Sequence, residues 1–90
     1  MYLVKFLKKL INKDGFLLVD ANKKEHVIGN PEKKNPLKLK LLDSKLHYKL
    51  LLFPDLYLGE GYTDGSIVIE NGSLTEFLDI VLKNIGRAEI

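Results

Sequence analysis

Three glycines fall within seven residues at Gly59-Glu60-Gly61-Tyr62-Thr63-Asp64-Gly65, and the β-branched run Ile67-Val68-Ile69 follows at once. This stretch constrains the chain more than any other, because glycine frees the backbone for positive φ and tight turns. The expectation is a dense loop that carries two carboxylates and a phenol and leads into a strand. Upstream, Asp43 or Ser44 can cap a helix running to about Phe53. Leu46, Leu50 and Phe53 form its main stripe, and Leu51 and Leu52 widen it beyond what one packing partner covers. Pro54 closes or kinks that helix, and Asp55 to Leu58 can form a short helical turn. Downstream, Ser73-Leu74-Thr75-Glu76 fits a reciprocal capping box. Leu74, Phe77, Leu78, Val81, Leu82 and Ile85 then share one face of a helix that Gly86 stops, and Arg87 to Ile90 read as a cut or frayed end.

The first half reads in the same way. Leu3, Val4, Phe6, Leu7, Leu10 and Ile11 fall on one face of a helix over Tyr2 to Asn12, opposite Lys5, Lys8, Lys9, Asn12 and Lys13. Asp14-Gly15 ends it, glycine suiting the left-handed position. Phe16 to Val19 is short enough for a strand, Asp20 to Lys23 supplies turn residues, and Glu25 to Ile28 is the returning strand. Gly29 to Pro36 is a loop with two prolines. Leu37-Lys38-Leu39-Lys40-Leu41 alternates strictly, placing leucines on a core and lysines in water. Mixed rather than alternating elements predict an α+β fold: helices on one side of a small, mostly antiparallel sheet of about four to five strands.

Ninety residues make one domain, spanning 1–90, with a modest core that buries only about 60–65% of the unfolded surface. There is no cysteine, which excludes disulfides, a thiolate nucleophile and zinc knuckles, and which suits a reducing cytoplasm. Lys5, Lys8 and Lys9 interrupt the first apolar run, so neither a signal peptide nor a membrane span is expected there. The net charge of +2 conceals a polarity. Met1 to Lys49 holds twelve lysines against five acids, whereas Leu50 to Ile90 holds Lys83 and Arg87 against seven acids. Halves of opposite sign suit an anionic partner for one face, attraction between the halves in the fold, or simply a solvated surface.

Catalytic chemistry finds little support. Glu60 and Asp64 could form a carboxylate pair or, with Asp55, meet a hard cation, but nothing nearby separates their pKa values and the spacing is not that of a calcium loop. Glu60 is expected to accept hydrogen bonds from loop amides and Asp64 to form a turn with Gly65. His26 and His47 lie on different elements without ligand spacing. Ser44, Ser66 and Ser73 offer no natural nucleophile, and no phosphate-binding glycine pattern occurs. Nucleic acid is disfavoured: one arginine is present and no exposed stacking platform is visible. Lys5, Lys8 and Lys9 on an amphipathic helix suit an anionic lipid surface, although the same helix could simply pack on the sheet.

The Gly59, Glu60, Tyr62, Asp64 and Gly65 positions resemble the Gly-Glu-x-Tyr-x-x-Gly segment near the N-terminus of cyclopropane-fatty-acyl-phospholipid synthases. The likeness runs from about Gly15 to Ile85 and includes the leucine-rich helices on either side. Thr63 stands where that family often has methionine, and Ile67 where it usually has tryptophan. The resemblance implies a sterol-carrier-protein-like N-terminal accessory domain of a lipid methyltransferase. It implies a separate C-terminal domain that holds all catalytic residues and S-adenosylmethionine, leaving no cofactor in this chain. On that basis Glu60 and Tyr62 would hold the glycine loop at the domain junction, with Tyr62 partly buried and its hydroxyl paired. Leu46, Leu50, Phe53, Phe77 and Val81 would cover an acyl chain or the catalytic domain. The implied setting is cytoplasmic and peripheral to the membrane, with phospholipid as partner; a homodimer or a purely structural interaction module stays open.

Overall fold

Four helices and four strands follow one another along residues 1–85, the residues that the computed structural model describes: α1 (Tyr2–Leu10), β1 (Gly15–Val19), β2 (Glu25–Gly29), β3 (Lys38–Leu41), α2 (Leu46–Leu52), α3 (Pro54–Asp64), β4 (Ile67–Glu70) and α4 (Leu74–Ile85). The expected stop at Gly86 and tail at Arg87 to Ile90 lie outside the described residues. The strands form one mixed sheet in the order β2-β1-β3-β4. β1 pairs antiparallel with β2, and β3 antiparallel with β4, while the central β1–β3 pair is parallel. The expected α+β class and four strands are therefore found, with a parallel seam at the middle of the sheet.

Alternation decides which side is dry. Phe16, Leu18, Ile28, Leu39, Leu41 and Ile67 are all buried and meet in one core with Leu3, Val4, Ile11, Leu46, Leu50, Phe77 and Ile80 from the helices. Phe16 and Phe77 pack edge to face, their centroids 5.1 Å apart. Each such fully buried side chain contributes about 1.5–3 kcal/mol, and this cluster gathers the buried apolar side chains of strands and helices into one core. The opposite sheet face carries Leu17, Val19, Val27 and Val68 among charges that neutralise one another. There Lys38 meets Glu25 at 3.3 Å and Lys40 meets Glu70 at 3.4 Å.

Gly59 to Gly65 is not a loop. α3 starts with Pro54 in its first turn, where the missing N–H costs nothing, and continues through Gly59 and Gly61. Only Gly65 takes positive φ, at 86°, as the left-handed stop. The helix persists because its inner side packs: Tyr57 and Leu58 join the core, and Gly61 lies so close to Ile67 that a Cβ there would stand 2.5 Å from the Ile67 Cδ1.

Several local expectations shift in detail. Asp14, not Gly15, adopts the left-handed conformation after α1, with φ 60° and its carboxylate accepting from the Gly15 N–H at 2.8 Å. Gly15 is required for another reason: a Cβ would collide with the Ile28 carbonyl across the hairpin. α2 begins at Leu46, while Asp43 organises the turn before it by accepting from the Lys45 and Leu46 N–H groups. The Ser73 hydroxyl accepts from the Glu76 N–H at 3.2 Å, but the Glu76 carboxylate turns to Lys33 at 3.1 Å, so the capping box is only half made.

The face of α4 is rotated from the expected one. Phe77, Ile80 and Asn84 are its buried residues, and Leu78 and Leu82 point to solvent. Asn84, 3% exposed, is the reason. Its Oδ1 accepts from the Asn12 and Lys13 N–H groups at 2.8 Å each, and its Nδ2 donates to the Lys13 carbonyl at 2.9 Å and the Ile80 carbonyl at 2.8 Å. A saturated buried amide thus ties the end of α4 to the α1–β1 turn.

Candidate functional site

With the core closed by the inner stripes of the helices, the question is what the outer stripes carry. On α1, Leu3, Val4 and Ile11 beyond its end are buried, and Tyr2 and Phe6 stand one turn apart on the exposed side. Tyr2 is 79% exposed, and Lys5 lies over its ring at 5.9 Å. On α2, which packs beside α1, Leu46 and Leu50 face the core. Tyr48 and Leu52 therefore project from the opposite side of the helix, as the 100° advance per residue requires; Leu52 is 64% exposed. Phe53, expected on the core stripe, is 59% exposed, because Pro54 ends α2 and the backbone at Phe53 leaves the helix at φ −138°, ψ 70°. It lies near Tyr57, centroid to centroid 6.3 Å.

Charge is segregated on the same elements. Residues 1–13 contain four lysines and no acid, and residues 44–54 contain two lysines and no acid. Lys33, Lys38, Lys40 and Lys83 each meet a carboxylate, but among the described residues Lys5, Lys8, Lys9, Lys13 and Lys45 meet none. Lys49 differs from them. It leans over the Tyr57 ring at 5.0 Å, in a notch of about 100 Å³ between α2 and α3 that is also lined by Asp43, Glu60 and Asp64.

Leu46, Leu50 and Phe77 lie in the domain's own core, and Val81 packs partly buried against it. Glu60 is exposed and accepts no hydrogen bond among the described residues. Tyr62 is 47% exposed, with its hydroxyl unpaired among the described residues, because the helical winding of α3 turns it outward. Asp64 closes the turn after α3: hydrogen bonding from Ser66, including its N–H at 2.8 Å, holds the carboxyl below its ordinary range. Among the described residues no group of three His, Cys, Asp or Glu side chains is placed to hold a metal ion.

One cluster escaped the sequence reasoning. Burial alone would raise the pKa of Asp20, which is 6% exposed, but hydrogen bonds from His26, Lys24 and Asn22 outweigh it and hold the carboxyl below its ordinary range. His26 Nε2 lies 2.9 Å from its Oδ2, and the Asn22 and Lys24 N–H groups donate to its Oδ1 at 2.9 and 3.0 Å. From α2, His47 Nε2 accepts the Ala21 N–H at 3.0 Å, which places the ring proton on Nδ1. Both histidines therefore meet at the β1–β2 turn. Asp20 and His26 bond within the hairpin and His47 bonds to it from α2, so together they fix the hairpin and seat α2 on it. The strand alternation that puts His26 opposite Leu18 was the available signal.

No family model, no curated protein and no solved structure matches this chain. Among the described residues no helix is long and apolar enough to cross a membrane.

Proposed function

We propose that this chain is a non-catalytic accessory domain that engages lipid, and that it serves beside the S-adenosylmethionine-dependent catalytic domain of a cyclopropane-fatty-acyl-phospholipid synthase-like methyltransferase. One observation carries the lipid reading: Tyr2, Phe6, Tyr48, Leu52, Phe53 and Leu56 stay exposed on the helical layer although the core beneath them is complete. Large exposed apolar side chains gathered on one layer mark an interaction surface. The order of elements around the Gly59 to Gly65 segment, a leucine-rich helix before it and a strand and second helix after it, supports the placement beside a methyltransferase.

Flotation with vesicles of unsaturated phospholipid tests the lipid reading. The chain is expected to rise with the vesicles, and its retention in the dense fraction with every vesicle contradicts the reading. A glycine-rich strand–loop–helix encoded beyond Ile90 is the corresponding test of the family.

A second reading, a protein-interaction module that self-associates, draws on the open sheet face. There Leu17, Val19, Val27 and Val68 lie among charges already paired within the face. Sedimentation equilibrium separates the two: a monomer at all concentrations removes self-association.

A further inference from the structure

Resting on the lipid-engaging reading, we infer that the docking surface is the joint outer face of α1 and α2 and that its ligand is the anionic headgroup layer of a bilayer. Tyr2, Phe6, Tyr48 and Leu52 enter the interface, and Lys5 and Lys45 hold the phosphates.

Charge selects this face over the others. The outer side of α3 offers Leu56 and Tyr62, but α3 carries Asp55, Glu60 and Asp64 and no base. The outer side of α4 offers Leu78 and Leu82, with Glu76 and Asp79 on the same helix. The open sheet face has its lysines neutralised by Glu25 and Glu70. Only α1 and α2 join exposed aromatic and aliphatic side chains to acid-free sequence and to lysines with no carboxylate partner among the described residues. Tyrosine suits the interfacial depth, since its ring is apolar and its hydroxyl stays wet. Lysine stems lie along apolar surface with their ammonium groups in the headgroups. The two helices are rigidly related, because α2 is seated by His47 on the hairpin and both pack on one core. A lipid surface therefore meets a preformed face rather than a segment that must fold on contact.

The experiment uses the whole chain and vesicles of phosphatidylcholine alone or mixed with phosphatidylglycerol. Sedimentation is expected to show binding to the mixed vesicles that salt weakens, with little binding to phosphatidylcholine. Lys5→Gln with Lys45→Gln is expected to weaken it about 30-fold, from about 1 kcal/mol per lysine near an anionic surface. The chain has no tryptophan, so Leu52→Trp and Leu82→Trp each report one face. The Leu52→Trp emission is expected to shift to the blue on mixed vesicles and that of Leu82→Trp to stay. Both positions are exposed, and unchanged far-UV circular dichroism confirms folding.

A blue shift for Leu82→Trp alone overturns the assignment of the face, and equal binding to both vesicle types overturns the anionic ligand. In either case lipid engagement stands. Binding to no vesicle overturns this inference and the lipid reading together, as does binding to a single-stranded oligonucleotide without vesicle binding.

Discussion

Replacing Gly59 and Gly61 by alanine, one at a time, is expected to move stability in opposite directions, although the two glycines lie two residues apart on one helix. Alanine in a helix interior is favoured over glycine by about 1 kcal/mol, because it loses less backbone entropy on folding. At Gly59 nothing lies within 4 Å of the added methyl, so Gly59→Ala is expected to stabilise by about 0.5–1 kcal/mol. At Gly61 the same gain meets the Ile67 side chain, with Cδ1 at 2.5 Å and Cγ1 at 2.6 Å from the new Cβ. Ile67 is itself fully buried, so its side chain must repack within the core to yield. Overpacking of this kind costs about 1–3 kcal/mol. The propensity gain is common to both variants and cancels in their difference, which is therefore about 1–3 kcal/mol. For a domain of this size that is a gap in Tm of at least about 4 °C. Urea unfolding followed by far-UV circular dichroism measures it, with equal m-values certifying that the comparison is one of stability. Destabilisation by Gly59→Ala would mean that the segment needs a glycine backbone there and is no helix. Equal effects at the two positions would remove the packing against Ile67.

Asn84→Ala deletes four hydrogen bonds and leaves the Asn12 and Lys13 N–H groups and two carbonyls to find water. A loss of about 2–3 kcal/mol is expected in the same urea assay, and a change within error would deny the amide its tethering role. Because Asp20 is held below its ordinary 3.8 in the fold, its contribution is fully present above that pH and is lost as pH falls through the folded value. Acid titration of stability should therefore show a flatter acid limb for Asp20→Asn than for the native chain, and parallel limbs would contradict this. Ser73→Ala is expected to cost about 1 kcal/mol as a lost helix cap. Glu76→Gln, whose carboxylate meets only the exposed Lys33 among the described residues, is expected to cost less than about 0.5 kcal/mol, so thermal melts showing equal losses would restore the reciprocal capping box.

The strands were legible because alternation is a local signal. Leu39 and Leu41 bury while Lys38 and Lys40 face outward, as a period of two requires. The parallel β1–β3 seam was not, since it joins Leu17 to Lys38 across the whole hairpin and loop and leaves no trace in either strand alone. Glycine density misled the reading of Gly59 to Gly65: intrinsic preference argued for a loop, and tertiary packing of Tyr57, Leu58 and Gly61 overrode it. On α4 the buried Asn84 misdirected the face, because an amide in the core position shifts the apolar period toward Leu78 and Leu82. The candidate surface was half visible. Its lysines and the surplus of apolar residues around Leu50 stood out, but Tyr48 was hidden by the leucines beside it and Phe53 by its fit to a stripe that Pro54 cuts short.

Hydrogen–deuterium exchange of the native chain, with and without phosphatidylglycerol-containing vesicles, reads the docking face without any substitution. Slower exchange confined to the peptides covering Tyr2–Leu10 and Leu46–Leu52 is the expected result. Protection that falls instead on Leu74–Ile85 or on the strands, or no protection at all, would contradict the account.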